Sequence, residues 1–367
     1  MNIRAVSAGS CALLVALALA HPRAGAATAD PSADPLAAEI ARWSVFLKNN
    51  TSTDEFWVQV KDASAPMLER ADKALHDGRR WLALQRLAAV RVNLAASESL
   101  ERRSPRERKD DAGFEAEWAR LGKALKADLR GPSAGALDGV RPAAVRAVGE
   151  AALPQVRAFY ESSLEYGRNT MPDFGFFYLT SAQAQKEFAA FCRSLAAPTA
   201  GAAPRLRALQ GEIDALQRDL LAVYRPPVSI DRHREFIIAN STLNEARELD
   251  AAGLRHGALL RYLEAALRSA PLRQSQPALD TGTIAARLRE LDARLSEGGT
   301  DHSLGRIFLE SAQANLSDPA PAGDPAIAAA IVADVLPRYF AALEPAIPEA
   351  PKVAPRATVT LVRWPYT

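Results

Sequence analysis

The segment ADKALHDGRRWLALQRLAAV (residues 71–90) is matched in outline by ARELDAAGLRHGALLRYLEA (residues 246–265). In both segments an alanine stands seven residues before a glycine, and a second alanine stands five residues after it. These positions are Ala71, Gly78 and Ala83 in the first segment and Ala246, Gly253 and Ala258 in the second. The pattern predicts two antiparallel helices joined at the glycine. The alanines would mark the closest approach of the helices, and the glycine would occupy a turn that a Cβ would obstruct.

Each segment resembles a helical hairpin of the tetratricopeptide (TPR) family, which places small residues at these offsets. Two features depart from the family pattern. The family's leucine position is polar in both segments (Arg70 and Glu245), and its closing proline is absent or displaced to Pro271. No copy follows at the interval of about 34 residues that a tandem array requires. The resemblance implies TPR-like hairpins in an irregular solenoid, whose concave surface would take a protein or peptide partner.

Helical periodicity runs through most of the chain. Its clearest stretch is residues 204–225, where apolar residues recur at spacings of three and four until Arg225-Pro226-Pro227 ends the pattern. Pro154 and Pro337 fall inside helical patterns and predict kinks or breaks. Further helices are predicted at residues 33–48, 54–76, 79–97, 114–128, 141–167, 180–196, 231–252, 255–269, 283–296, 304–316 and 325–342.

We therefore predict an all-α protein, an irregular two-half helical solenoid or bundle with a short extended C-terminal tail. The predicted halves are residues 27–200 and 201–343, and residues 344–367 form a proline-rich linker and tail. The last ten residues, TVTLVRWPYT, begin with strand formers for which no partner strand is evident. The tail is expected either to be disordered or surface-packed, or to dock in a groove through Trp364 and Tyr366.

A second phrase occurs twice, as GFFYLTSAQA (residues 175–184) and GRIFLESAQA (residues 305–314), with six identical positions of ten. In each half it follows the hairpin. Bulky residues precede Ser or Ala by four positions, a spacing that suits a tight helix crossing. We interpret the phrase as a packing joint in two related halves. The alternative is a pair of ligand sites where Gln183 and Gln313 present their amides.

Residues 1–26 have the pattern of a secretory signal peptide: Arg4 precedes the apolar run CALLVALALA, and small residues allow cleavage near Ala26. The run is too short to span a bilayer, so no membrane span is expected and the mature chain is predicted to be periplasmic or secreted. These residues carry two of the 45 basic residues and none of the 43 acidic ones, which leaves 43 of each. This balance argues against nucleic-acid binding.

Motifs for catalysis, cofactors and metals are not identified. GPSAG (residues 131–135) matches Gly-x-Ser-x-Gly literally, but it follows a helix rather than a strand, so Ser133 is not expected to be a nucleophile. The histidines are isolated along the chain, which predicts no metal site. Cys192 is the one cysteine after residue 26, and its apolar surroundings predict a buried, unreactive thiol.

The sequence thus favours a binding or scaffold protein for a protein or peptide partner, without a cofactor. The expected contact residues lie on or beside the second helix of each hairpin and in the tail: Arg80, Trp81, Arg255, His256, Tyr262, Trp364 and Tyr366.

Two alternative functions stay open. One is an envelope structural component that is attached through the C-terminal tail. The other is an all-α enzyme whose site is assembled near the first copy of the repeated phrase, from Tyr160, Tyr166, Arg168 and Asp173.

Overall fold

A computed structural model describes residues 34–344 of the chain, apart from short gaps at residues 133–134, 136, 170–171, 198–200, 228, 274–278 and 320–321. The predicted signal peptide lies outside the described residues. So does the predicted tail beyond residue 344, including Trp364 and Tyr366. The described part is all-α, which confirms the predicted fold class.

Most helices lie close to the predicted segments. They are α1 (Pro35–Asn49), α2 (Glu55–His76), α3 (Arg80–Glu101), α4 (Pro105–Arg108), α5 (Asp111–Ala124), α6 (Ala143–Ser162), α7 (Pro172–Ser194), α8 (Gln210–Val223), α9 (His233–Ala251), α10 (Arg255–Arg273), α11 (Thr281–Ser296), α12 (Ser303–Ser317), α13 (Pro325–Ala330) and α14 (Leu336–Ala342). One π-helical turn, Ser163–Arg168, extends α6, and another, Ile331–Val335, joins α13 to α14. Helix α7 begins earlier than predicted and α8 begins later.

The two prolines inside helical patterns have different outcomes. Helix α6 continues through Pro154, so no break occurs there. Pro337 lies in the first turn of α14, directly after the π-helical turn, so the α-helical pattern does change at this proline. A proline is tolerated in a first turn because its missing N–H would have no partner within the α-helix.

The last described helical segment is apolar. Pro325–Ala342 is the one stretch of the described chain that is long and apolar enough to cross a membrane by length and composition, and 44% of it is buried within the fold. Asp334 lies in the middle of this stretch. Its carboxylate accepts hydrogen bonds from Arg273 at 2.6 Å and from Arg338 at 2.7 Å. The segment is therefore held by ion pairs as well as by apolar packing.

The two predicted hairpins are present as α2–α3 and α9–α10. Gly78 and Gly253 form their turns with φ of 75° and 78°, a left-handed conformation that favours glycine. A Cβ on Gly78 would meet no atom within 4 Å, so the backbone conformation requires the glycine and crowding does not. The alanines at the predicted contact points are fully buried: Ala71, Ala83, Ala246 and Ala258.

The predicted halves share one packed interior. A hydrophobic cluster extends from Leu36 on α1 to Ala342 on α14 and includes helices of both halves. Helices α6 and α10 cross closely at Gly257, where an added Cβ would lie only 2.7 Å from the Cβ of Glu150. A second, more aromatic cluster lies between α3, α5, α6 and α7. Cys192 is fully buried in the larger cluster, and burial raises the pKa of its thiol to about 12, as expected for an unreactive thiol.

Four helices begin at carboxylates that are remote in sequence. The residues that precede α3, α6 and α8 provide no side-chain cap of their own. The remote acceptors are Glu310 for Leu82 N–H (2.8 Å), Asp301 for Ala143 N–H (2.7 Å), Asp250 for Leu209 N–H (3.1 Å) and Glu150 for Gly257 N–H (2.8 Å). A carboxylate at a helix start satisfies an N–H that lacks an intrahelical acceptor and lies at the positive end of the helix dipole.

Three of these four bonds join one predicted half to the other. Asp301 has one local contact at the start of α12, where its Oδ1 accepts from Ser303 N–H at 3.0 Å. Its second oxygen, however, reaches α6, and Ser303 Oγ accepts from the next amide, Ala144 N–H, at 2.9 Å. Polar contacts therefore fix how the two halves are joined.

The repeated phrase does occupy corresponding helix-packing positions. A Cβ on Gly175 would lie 2.9 Å from the Phe114 ring, and a Cβ on Gly305 would lie 2.7 Å from the Tyr339 ring. Each glycine thus lets an aromatic ring pack directly against its helix. Of the two amides, Gln183 is exposed and donates to Glu187 at 2.9 Å. These contacts support the interpretation of the phrase as a packing joint.

Candidate functional site

A cavity of about 370 Å³ lies between the two hairpins and α6. We call it the inter-hairpin cavity. Its volume is within the range of protein sites for small ligands, about 300 to 1,000 Å³. Helix α3 borders it from Leu82 to Asn93, and α6 borders it from Val148 to Phe159. The second hairpin, α9–α10, contributes Ile238 through Arg268.

The lining combines apolar and polar side chains. Small and branched apolar residues of α3, α6 and α10 contribute one part, including Ala88, Ala89, Val92, Ala151 and Leu260. Amides and hydroxyls contribute another part, from Gln85, Asn93, Gln155, Gln185, Ser241 and Thr242. Such a mixture can exclude water from a ligand while it positions the ligand by a few hydrogen bonds.

Arg261 on α10 is the centre of a charged network in this cavity. Its Nε lies 3.0 Å from Glu245 Oε2, and its Nη1 donates to Glu264 Oε2 at 2.8 Å. Each carboxylate is also held by an amide: Gln155 donates to Glu245 at 2.6 Å, and Gln85 donates to Glu264 at 2.8 Å. Because the amides come from α6 and α3, the network joins the second hairpin to both.

The two carboxylates have pKa values that are shifted in opposite directions. Burial raises the pKa of Glu245 above its usual value, and the charge of Arg261 does not fully offset this effect. Burial also acts to raise the pKa of Glu264, but the charges of Arg261 and Arg268 outweigh it, so this pKa is lowered. The cavity therefore holds two titratable groups of different proton affinity within one network.

Arg86 adds a third cation to the lining. Burial lowers the pKa of its guanidinium to about 10, and the charge of Arg70 acts in the same direction. Its Nη1 donates to the backbone carbonyl of Arg70 at 2.7 Å. With Arg261 and Arg268 opposite Glu245 and Glu264, the lining has one more positive than negative charge.

Two amides of the lining stand out because their side chains make no hydrogen bond with any residue that the structure describes. These are Asn93 on α3, which is half-buried, and Gln185 on α7, which is 9% exposed. A polar group that borders a cavity and has no protein partner is open to a hydrogen bond from whatever occupies the cavity. Both border the cavity, so a ligand there could satisfy them.

Of the contact residues predicted from the sequence, the five that the structure describes do not line this cavity. Arg80 donates to Asp34 at 2.9 Å, and Trp81 is half-buried against the core. Arg255 pairs with Asp250, a remote helix cap.

The other two predicted contact residues are buried. Tyr262 is 1% exposed, and its hydroxyl accepts from Arg338 at 2.6 Å, so its ring belongs to the core rather than to an accessible surface. His256 is 8% exposed and borders a different cavity.

The alternative site near the first phrase is only partly described. Tyr160 is 7% exposed, stacks on Trp118 with ring centroids 5.0 Å apart, and donates to the Trp118 carbonyl at 3.1 Å. It belongs to the aromatic cluster. The side chains of Tyr166, Arg168 and Asp173 are outside the part that the structure describes.

One sequence signal could have led to the inter-hairpin cavity, although we did not interpret it in that way from the sequence. Glu245 occupies the position at which the TPR pattern has leucine, and a charged residue on the packed face of a hairpin needs a polar environment. The structure provides that environment through Arg261 and Gln155. Among the described residues, no three His, Cys, Asp or Glu side chains stand close enough to hold a metal ion.

Comparison of the chain with protein-family models, with curated proteins and with solved structures gives no match. The residues that line the inter-hairpin cavity are therefore the basis for assigning a function.

Proposed function

We propose that this chain is an exported, non-enzymatic helical binding protein, and that its inter-hairpin cavity receives a segment of a protein or peptide partner. The observation that carries this proposal is the pair of cavity amides, Asn93 and Gln185, which have no partner among the described residues. A side-chain amide donates and accepts as a peptide group does, so it can pair with the backbone of an extended segment.

The remaining lining supports the same ligand class. Ala88, Ala89 and Val92 provide an apolar surface on which a side chain of the partner can pack. Arg261 is ion-paired with both carboxylates, so these three groups hold the walls of the cavity together. The unpaired amides are then among the groups left to recognise the ligand.

The experiment uses a random peptide library displayed on phage and selected against the chain from residue 27 onward. Enriched peptides are then measured against Gln185→Leu, which removes the amide at similar volume, and against Ala89→Trp, which fills the cavity. Ala286→Trp is the matched control, because Ala286 is exposed on α11. We expect both cavity variants to bind at least about tenfold more weakly than the control.

Two results would contradict the proposal. If no peptide is enriched, the chain is not a peptide-binding protein of this kind. If enriched peptides bind Ala89→Trp as tightly as wild type, they bind at another surface.

A second function has one specific observation in its favour. Carboxylates whose pKa values are shifted apart within one cavity are typical of general acid–base catalysis, and Glu245 and Glu264 have this arrangement. In that case Glu245 would be the proton donor. Mass spectrometry of the enriched peptides after incubation separates the two functions, because a product that forms with wild type and not with Glu245→Gln would indicate an enzyme.

A further inference from the structure

The inter-hairpin cavity has two polar ends, which are about two helical turns apart along α3. Asn93 marks one end. Gln185 lies at the same end, because Arg91 Nη1 on α3 donates to the carbonyl of Ala184 on α7 at 3.4 Å. Arg86 marks the other end, seven residues earlier on α3, which corresponds to about 10 Å of helix. The two ends can therefore contact different groups of one bound segment.

Arg86 has donors that no described residue uses. Its Nη1 donates to the carbonyl of Arg70 at 2.7 Å, but its Nε and Nη2 make no hydrogen bond with any described residue. Neither of these nitrogens is among the fully enclosed polar atoms that lack a partner, so both keep accessible surface. Arg86 also forms no ion pair with a described carboxylate. It is therefore a cation of the cavity wall that a ligand can reach.

Ser311 on α12 also borders the cavity at this end. The preceding residue, Glu310, accepts from Leu82 N–H at 2.8 Å, one turn of α3 before Arg86, and so fixes α12 beside it. The Glu310 carboxylate is bound to the start of α3 and does not line the cavity. The Ser311 hydroxyl makes no hydrogen bond with any described residue and is not fully enclosed. Arg86 and Ser311 thus provide unused donors at the same end.

The charge of Arg86 is not compensated within the cavity. Arg261 and Arg268 act on the two carboxylates of the lining, and these four charges sum to zero. Burial, and then the charge of Arg70, lower the pKa of Arg86 to about 10, so its guanidinium remains a cation at neutral pH. Two carboxylates act weakly in the opposite direction, but each is ion-paired with the same two cations of the first hairpin: Asp77 and Asp318 with Lys73 and Arg79.

We propose, on the basis of the peptide-binding function given above, that the segment received by the inter-hairpin cavity carries a Glu or Asp side chain that pairs with Arg86. A carboxylate accepts two parallel N–H groups from a guanidinium, and Nε and Nη2 of Arg86 provide such a pair. The Ser311 hydroxyl donates to the same carboxylate. An extended segment advances about 3.3 Å per residue, so the acidic residue lies about three positions from the one whose backbone pairs with Asn93 and Gln185.

The experiment compares two pools of short peptides that differ at one position. Each peptide has an acetylated N-terminus and an amidated C-terminus. Its central residue is Glu in one pool and Gln in the other, and four random uncharged residues stand on each side. The chain from residue 27 onward is immobilised, and the retained peptides are quantified by mass spectrometry. We expect at least about fivefold greater retention of the Glu pool, because the central residue carries its only charge.

Variants assign this preference to Arg86. Arg86→Gln removes the charge and is expected to retain the two pools equally, whereas Arg86→Lys keeps the charge and should keep part of the preference. Arg289→Gln, at an exposed position on α11, is the matched control and should keep the full preference. Gln185→Leu is expected to weaken retention of both pools to the same extent, because it acts on the backbone of the segment. Circular dichroism checks that each variant is helical.

The outcomes separate this pairing from the peptide-binding function itself. Equal retention of the two pools by wild type overturns the pairing and leaves peptide binding in place, and this comparison needs no variant. Retention of neither pool contradicts peptide binding and the pairing together. A preference for Glu that persists in Arg86→Gln also overturns the pairing, because the acidic side chain would then lie elsewhere.

Discussion

Glu310 Oε2 accepts a hydrogen bond from the backbone N–H of Leu82 at 2.8 Å, although the two residues are 228 positions apart. The bond closes the start of α3, where Arg79 provides no side-chain cap. It is one of three buried bonds in which a carboxylate of one half satisfies a helix start in the other. Such contacts make the joining of the halves specific, whereas apolar packing alone tolerates small displacements.

Stability is expected to depend on the titration of Glu310. Burial raises the pKa of this carboxyl from 4.5 to about 7, so between these values the folded chain binds more protons than the unfolded chain. The free energy of unfolding is therefore expected to fall by roughly 1 to 3 kcal/mol as the pH rises through this interval. Glu310→Gln cannot titrate at this position. Urea unfolding at pH 5 and pH 8 should therefore show that the difference in free energy of unfolding between wild type and this variant is smaller at pH 8. Glu290→Gln, at an exposed position on α11, is the control. A difference that stays constant with pH would contradict the assignment.

The remote cap at Asp301 is expected to contribute more to the free energy of unfolding than a local helix cap does. Asp301→Ala leaves Ala143 N–H and Ser303 N–H without their acceptor in a buried setting, which should lower the free energy of unfolding by about 2 to 3 kcal/mol. Asp280→Ala removes an exposed local cap of α11, with an expected loss of about 1 kcal/mol. Urea unfolding of the two variants tests this order, and equal losses would mean that the remote bonds add nothing beyond ordinary capping.

The hairpin turns are expected to require glycine for conformational reasons. Gly78→Ala and Gly253→Ala place a Cβ at φ of 75° and 78°, which should destabilise each variant by about 1 to 2 kcal/mol. Gly211→Ala is the matched control, since Gly211 is helical and a Cβ there meets no atom within 4 Å. That variant is expected to be neutral or more stable by up to about 1 kcal/mol. Thermal unfolding of the three proteins distinguishes these effects, and a neutral Gly78→Ala would count against the argument.

The glycines of the repeated phrase are required for close packing rather than for a turn conformation. A Cβ on Gly305 would come within 2.7 Å of the Tyr339 ring and 2.9 Å of a Leu295 methyl group, so Gly305→Ala must displace packed side chains. The expected loss of stability is about 1 to 3 kcal/mol. Gly175→Ala meets Phe114 in the same way, and Phe114→Leu should partly restore its stability if ring contact is the cause. Failure of this rescue would show that another contact is responsible.

Arg261 is expected to be essential for the charged network of the inter-hairpin cavity. Arg261→Met leaves Glu245 and Glu264 without their shared cation. Because these side chains are partly exposed, the free energy of unfolding at pH 7 should fall by about 1 to 3 kcal/mol. Without the cation, both carboxyls would have higher pKa values in the folded state. The loss is therefore expected to diminish as the pH is lowered from 7 to 4.5. Arg289→Met, at an exposed position on α11, is the control for the substitution itself. A loss that does not change with pH would assign the effect to packing of the aliphatic stem.

Local patterns predicted the helices well. Apolar spacing located the hairpins, and the glycines located their turns, because both depend on neighbours along the chain. Helix α7 is an exception, because it begins at Pro172 and was predicted only from residue 180. Its first two turns contain an aromatic run of weak helix propensity, and packing of Phe176 against Phe114 stabilises them. Helix α8 begins only at Gln210. The apolar repeat continues before it, with Leu206 and Leu209, but the chain there is bonded to loops and to Asp250.

The candidate site was less predictable, for a physical reason. A cavity exists where helices fail to fill space, and its position depends on how α3, α6, α7 and α10 meet. The spacing of apolar residues along the chain does not determine how these helices pack against one another. The carboxylate caps are similarly remote from their helices in sequence. Glu245 lies where the hairpin pattern has an apolar residue, but Arg70 does too and does not line the cavity, so this departure alone does not locate the site.

The carboxylates that cap remote helices have a consequence for the order of folding. During synthesis, the starts of α3 and α6 emerge long before Asp301 and Glu310, which complete them. The first 200 residues alone therefore lack the acceptors that complete these two helix starts, and we expect the starts to become ordered only after residues 301–310 are added. A fragment that ends at residue 200 is expected to show loose, easily digested ends at α3 and α6, and addition of residues 201–344 as a separate chain is expected to protect them.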